Sequence, residues 1–167
     1  MSRRDAIRMS ESEAAVFLAA ERTVVCATHG PRGWPHLMPL WYVLRAVPGG
    51  SGPPELWAWT YASSQKARNL ERDPRATLQV EAGESYDQLR GVMLETEVQL
   101  HHDTEVVRGL GREIFARYAA KPGQAPAPEL PEEVGAMVDR QASKRVAMQF
   151  CERRRASWDH RKLAGTY

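Results

Sequence analysis

Only two cysteines occur among the 167 residues, and what they cannot do sets the first limits. Cys26 and Cys151 lie in separate apolar, strand-like runs, so they supply neither a disulfide framework nor a metal-binding spacing. Buried reduced thiols in a cytoplasmic protein are the reading that fits. No apolar run approaches the roughly 20 residues of a membrane helix. The segment after Met1-Ser2-Arg3-Arg4-Asp5 is amphipathic and acidic, unlike the apolar stretch of a signal peptide. An excess of one charge is missing too: 23 Lys and Arg face 21 Asp and Glu, so no global field argues for nucleic acid or a membrane surface. No glycine-rich fingerprint follows a strand, which removes the dinucleotide-binding βαβ unit. None of His29, His36, His101, His102 and His160 is paired with cysteine or carboxylate at zinc-site spacing, and on a strand His101 and His102 would point to opposite faces. No Ser-His-Asp or Cys-His arrangement and no internal repeat is visible.

The chain has the length of one domain, 1–167, able to bury a real core. Ser10 and Glu13 have capping-box spacing and open a helix whose apolar face runs from Ala14 to Ala20 with Val16, Phe17 and Leu18. Thr23–Thr28 reads as a first strand, and His29-Gly30-Pro31-Arg32-Gly33 as a turn. The second strand, His36–Leu44, contains Pro39, which removes a ladder donor and marks an edge, a bulge or a backbone facing something other than a strand. Pro48–Pro54 is a hairpin loop. Glu55–Tyr61, Ala76–Glu81, Leu89–Leu100 and Arg145–Cys151 read as strands three to six. A helix fits Asp103–Ala120, where Gly109 and Gly111 each weaken it by about 1 kcal/mol, so packing must hold it. Four prolines between Pro122 and Pro131 make a loop, and Val134, Met137 and Val138 mark a short helix. Short strands joined by hairpins predict a mainly β protein with flanking helices, an antiparallel barrel or sandwich.

The stretch from Thr60 to Arg75 carries the most chemistry. It follows the aromatic run Leu56-Trp57-Ala58-Trp59, and Ser63 or Ser64 can cap a helix that stops at Asp73-Pro74. The free amides of such a start favour an anion. Lys66, Arg68 and Asn69 follow within one turn. On spacing alone, a phosphate cradle and an ordinary capped surface helix with solvated charges stand level. Glu95 and Glu97 share a strand face, where they are an acid–base pair or simply a solvated surface. From Lys144 to Lys162, seven Lys or Arg accompany only Glu152 and Asp159. That basic end is a solvated tail, a nucleic-acid patch, or a segment folded over an anionic ligand by Trp158, His160, Arg161 and Lys162. Against nucleic acid, Trp158 is the lone interleaved aromatic. Trp41, Trp57 and Trp59 in strands two and three favour a site where a planar ring stacks.

The order Ala27-Thr28, Gly33-Trp34-Pro35-His36, Pro39-Leu40-Trp41-Tyr42, Ser64-Gln65-Lys66-Ala67-Arg68-Asn69-Leu70 and Asp73-Pro74-Arg75 resembles the pyridoxamine 5′-phosphate oxidase-like flavin and deazaflavin oxidoreductases. Tyr86-Asp87-Gln88-Leu89-Arg90-Gly91-Val92 and Ser157-Trp158-Asp159-His160-Arg161-Lys162-Leu163 are similar to an actinobacterial-type branch, often described as F420-dependent. The resemblance implies a homodimer of six-stranded split β-barrels, with coenzyme F420, or FMN as the close second, in a groove at the dimer interface. It implies that Ser64, Lys66 and Asn69, with Arg68 as a weaker candidate, hold the cofactor phosphate. Pro39, Leu40, Trp41 and Tyr42 would run along the ring, and Thr60 would sit near the ribityl chain. The implied activity is hydride transfer to or from a small organic substrate, with Tyr42 or His160 as candidate proton donors and no firm catalytic side chain. The C-terminus shows Trp158-Asp159-His160-Arg161-Lys162-Leu163 in place of the substrate-phosphate motif of the true oxidase. A non-enzymatic carrier of a flavin or haem-like pigment is the alternative, and neither nucleic acid nor membrane is an expected partner.

Overall fold

The computed structural model describes residues 3–47, 49–50, 52–121, 124–126 and 129–163. The expected loops therefore lie partly outside the described residues, at Pro48, Ser51, Pro122-Gly123 and Ala127-Pro128. Four helical turns or longer stretches flank the sheet before its last strand: α1 (Arg3–Ala6), α2 (Glu11–Ala20), α3 (Gln65–Arg72) and α4 (Thr104–Ala119), joined by α5 (Glu132–Ala142). The strands are β1 (Val24–His29), β2 (Pro35–Leu40), β3 (Val43–Arg45), β4 (Glu55–Tyr61), β5 (Arg75–Ala82), β6 (Arg90–His101) and β7 (Arg145–Asp159).

All pairings are antiparallel, in the order β2-β1-β5-β6-β7-β4-β3. The two ends of that order are consecutive in the chain. Pro35–Leu40 pairs with β1, the chain breaks step at Trp41-Tyr42, and Val43–Arg45 pairs with β4 at the opposite edge. The sheet thus curls into a half-barrel closed by one segment that changes partners, a split barrel. Where the sequence predicts six strands the described residues form seven, because the expected His36–Leu44 strand is split. At the break, ladder partners are replaced by side chains of α4. The Tyr42 amide donates to the Tyr118 hydroxyl at 2.9 Å, and the Tyr42 carbonyl accepts from Arg117 Nη1 at 2.5 Å. Pro39, on the edge strand β2, costs no interior ladder bond.

The barrel core is built from alternate residues: Val24 and Cys26 of β1, Leu78 and Val80 of β5, Val92, Leu94 and Val98 of β6, with Met148 and Phe150 of β7. The α2 cap closes it with Ala14, Phe17 and Leu18, and its capping box is complete, the Ser10 amide donating to Glu13 at 2.6 Å. Val16, expected on the same apolar face, is 71% exposed, since its helical angle turns it away from the other three.

β7 runs eight residues beyond the predicted end at Cys151, pairing with β6 as far as Asp159. The long β6 supplies the template. Its exposed Glu97 and Glu95 pair with Arg153 and Arg154 across a bulge, so the basic run is a strand in disguise. Arg155 pairs with Glu152, Arg161 with Asp159 and Lys162 with Glu13. Five of the seven basic residues are therefore matched to carboxylates; among the described residues, Lys144 and Arg145 are not.

Outside the barrel, α4 packs on β4 and β7 through Val107, Leu110 and Ile114, against Ala147 with Trp57 and Trp59 beside them, and α5 packs on α4 and β7, burying Ala142. A methyl group added at Gly111 would stand 2.5 Å from the Trp59 ring, whereas one at Gly109 would meet nothing within 4 Å. Helix propensity alone favours alanine at both positions by about 1 kcal/mol. Urea denaturation is therefore expected to show Gly109→Ala more stable than the parent, and Gly111→Ala less stable by about 1–3 kcal/mol, because overpacking outweighs propensity. Equal gains at both sites would contradict this packing.

Candidate functional site

The sequence places a strand, a two-residue turn and a helix in succession, and the three meet at one point. β4 ends at Tyr61, the Ser64 amide donates back to the Tyr61 carbonyl at 2.9 Å, and Ser64 becomes the N-cap of α3. Of the two candidate serines, Ser64 is the cap: its hydroxyl accepts from the Ala67 amide at 3.2 Å. α3 is held against the barrel by its buried Ala67 and Leu70 and by Asn69, whose amide donates to the Thr28 hydroxyl of β1 at 3.0 Å. Gln65 and Arg72 both donate to the Asn69 side-chain oxygen Oδ1.

Lys66 turns inward, only 5% exposed. Its ammonium donates to the Thr60 hydroxyl at 3.1 Å, and Thr60 in turn lies 3.2 Å from the Ser64 hydroxyl. Among the described residues no carboxylate is within ion-pairing distance of Lys66, and its acceptor, the Thr60 hydroxyl, is neutral. Burial pushes the ammonium below its ordinary pKa, and Arg145 pushes it further in that direction. The neighbouring Cys26 offers no relief: burial raises its thiol to about 12, so it stays protonated and uncharged at neutral pH. A buried cation without a counter-ion costs several kcal/mol unless something negative reaches it. An anion arriving here could be received by the Lys66 ammonium, the first amides of α3 and the Ser64 and Thr60 hydroxyls.

The nine expected site residues divide. Thr60, Ser64 and Lys66 come together. Asn69 is fully buried and ties α3 to β1, so it positions the helix instead of reaching outward. Arg68 lies on the exposed side of α3. Pro39, Leu40 and Trp41 sit on the edge strand and the break after it, and the Trp41 ring, 50% exposed, stacks on Tyr118 at 4.3 Å. Tyr42 requires correction. Its side chain is wholly buried and its hydroxyl donates to the Leu18 carbonyl at 2.6 Å, so it belongs to the core, not to a ring-facing surface or a proton-donating role. Leu40, Tyr42 and Leu44 all face the barrel core, so strand alternation runs through the break. His160 lies after β7, its ring nitrogen 2.8 Å from the Tyr86 carbonyl, at the opposite end of that strand from Thr60's partner Val146.

Arg145 escaped the sequence reading. It stands opposite Tyr61 in the β4–β7 register, a long-range pairing that no local spacing reveals. Among the described residues, no group of three or more His, Cys, Asp and Glu is gathered as a metal site, and no helix is long and apolar enough to cross a membrane.

The family described as pyridoxamine 5′-phosphate oxidase matches residues 10–148. No curated protein matches the chain. Among solved structures, a conserved hypothetical protein from Mycobacterium tuberculosis is 39% identical with a TM-score of 0.80, covering 100% of this chain and 95% of that one. An F420 reductase is 17% identical, TM-score 0.62, over 89% of this chain and 98% of its own. The heme storage protein HutZ from Vibrio cholerae is 14% identical, TM-score 0.61, over 89% and 94% respectively. The last two identities speak for a shared fold.

Proposed function

Because the chain belongs to the pyridoxamine 5′-phosphate oxidase family, we propose that it is an oxidoreductase that binds coenzyme F420, or FMN as the second choice, by its phosphate at Ser64 and Lys66. The observation that carries this reading is the buried Lys66 ammonium with no carboxylate beside it. A phosphate received there makes charge-assisted bonds with Lys66 and the α3 amides, each stronger than a neutral hydrogen bond. When bound, the cofactor supplies hydride transfer, while the protein binds, orients and excludes water. Trp41 and the edge strand β2 offer exposed apolar surface for a planar ring and for a second copy of the chain: Trp34, Leu37 and Met38 are 76%, 57% and 43% exposed. A cytoplasmic homodimer covering that strand completes the proposal. The substrate is a small organic acceptor or donor stacked on the ring.

A pigment-carrying role is the second reading, favoured by the likeness in fold to a protein described as storing heme. Titrating the purified protein with F420, FMN and haem, while following tryptophan fluorescence, separates the readings. The oxidoreductase reading expects saturable binding of F420 or FMN, followed by bleaching and return of the cofactor absorbance with reductant and acceptor pairs. Haem binding alone, or no binding at high micromolar concentration, would sink it.

A further inference from the structure

Of the seven basic residues between Lys144 and Lys162, Arg145 is the one that is held in place without an anion. Its guanidinium carbon lies 4.1 Å from the centre of the Tyr61 ring and 4.4 Å from that of Trp59. Aromatic contacts occupy the face of the planar ion and leave its in-plane N–H groups for acceptors. None of those groups donates to any described residue, and Nε is fully buried without a partner. An arginine so fixed is over-determined in position and unsatisfied in charge.

Its place relative to Lys66 gives this meaning. In the register, Thr60 faces Val146 and Tyr61 faces Arg145, and the Ala62 amide donates to the Lys144 carbonyl at 3.0 Å. Lys66 caps buried Thr60 from the barrel side. Arg145 lies along the alternate residues Trp59 and Tyr61 on the other side of β4. The two cations thus flank the end of one strand from its two sides, where α3 begins, and among the described residues no carboxylate stands with either. Burial first, and then repulsion by Arg145, pushes Lys66 towards neutrality, and no acid compensates it among the described residues.

We propose that Arg145 is the second cation of the Ser64–Lys66 site, and that the pair selects a ligand end carrying two negative charges. The proposal rests on the phosphate reading of the cradle. A phosphate monoester such as that of FMN carries close to two charges at neutral pH, since its second ionisation lies near pH 6. A phosphodiester with a carboxylate beside it offers the same total. A neutral or singly charged end leaves Arg145 without an acceptor.

The test compares FMN with riboflavin, which lacks the phosphate, and F420 with its phosphate-free deazaflavin head, on wild type, Arg145→Gln and Lys66→Met. Arg145→Gln is expected to reduce the FMN-to-riboflavin affinity ratio about tenfold, the size of one charge-assisted contact, while riboflavin affinity and thermal unfolding without ligand stay unchanged. A loss seen for F420 but not FMN would assign Arg145 to the carboxylate beside a phosphodiester. An unchanged ratio in both pairs, with Lys66→Met still reducing it, overturns the role of Arg145 and leaves the phosphate reading standing. Ratios near one in wild type for both pairs overturn that reading, and the Arg145 role with it. Should Arg145→Gln not fold, the phosphorus NMR titration of FMN bound to wild type decides. A phosphate that stays dianionic to about pH 5 supports two cations, and one titrating near its free value of about 6 contradicts them.

Discussion

Replacing Arg117 with alanine is expected to cost about 3–5 kcal/mol of folding stability, the largest loss from any single side chain of α4. The guanidinium joins three elements. One nitrogen donates to the Tyr42 carbonyl at the barrel break, and the other to the Ala19 and Glu21 carbonyls at the end of α2, at 2.9 and 2.7 Å. The ion also lies 4.5 Å from the centre of the buried Tyr42 ring. Helices leave their last carbonyls unpaired, and here Arg117 supplies what a glycine cap supplies elsewhere. Removing it takes this donor from the Ala19 carbonyl, and leaves the Tyr42 carbonyl to the Tyr118 hydroxyl and the Glu21 carbonyl to the Tyr42 hydroxyl. The barrel loses the charged clamp on the segment that closes it, at about 1.5–3 kcal/mol for a bond to a charged group. Arg112 on the same helix provides the comparison. Its bidentate bond to Asp139 is exposed, with 51% and 35% of the two side chains accessible, so Arg112→Ala should cost under about 1 kcal/mol. Chemical denaturation of both variants checks the contrast. Similar losses would mean that the closing segment is held by something other than Arg117.

Lys66→Met is expected to move stability and binding in opposite directions. Without ligand, the variant should be more stable by about 1–2 kcal/mol, because methionine fills the space and removes a buried charge that has no counter-ion. Binding of the phosphate-bearing cofactor should fall by about 1.5–3 kcal/mol, roughly ten- to a hundredfold, through loss of a charge-assisted contact. The pH dependence carries its own sign. Since burial holds the folded-state pKa of Lys66 below its ordinary value of 10.5, the unfolded chain binds more protons between those two values, so this residue makes stability rise with pH across that window. Below the folded pKa the penalty is present in full. Wild type should show that alkaline rise, and Lys66→Met should lack it. A variant that loses stability and binding together would mark Lys66 as an ordinary structural lysine.

Much of this was legible along the chain because the deciding signals were local. Ser10 with Glu13 forms the capping box, Glu55–Tyr61 is a strand with the expected bounds, and Ser64 to Asp73 contains its own start and stop. What escaped depends on partners far away. The break at Trp41-Tyr42 is stabilised by Arg117 and Tyr118, some 75 residues later; Pro39 marks the edge strand, but nothing local gives the change of partner two residues on. Burial of Tyr42, by contrast, follows the alternation it shares with Leu40 and Leu44. The basic run after Cys151 hid a strand because its arginines answer glutamates on β6, and charge patterns reveal such ladders only once the register is known. Arg145 stayed out of view for the same reason, since its place opposite Tyr61 is set by the β4–β7 register. Within the cradle, spacing brought Lys66 and Asn69 equally into view. Only burial separates them: Asn69 bonds back to Thr28, while the Lys66 ammonium is left with a hydroxyl.

The central claim is that Lys66 holds the phosphate of a flavin or deazaflavin, and a ligand pair differing only in that phosphate tests it most directly. Affinities of FMN and riboflavin, and of F420 and its phosphate-free head, should be measured on wild type and Lys66→Met in one buffer. The account predicts that wild type prefers the phosphorylated member of at least one pair by tenfold or more, about 1.4 kcal/mol, and that Lys66→Met erases most of that preference without weakening the phosphate-free ligand. A preference of the same size in both proteins would contradict it.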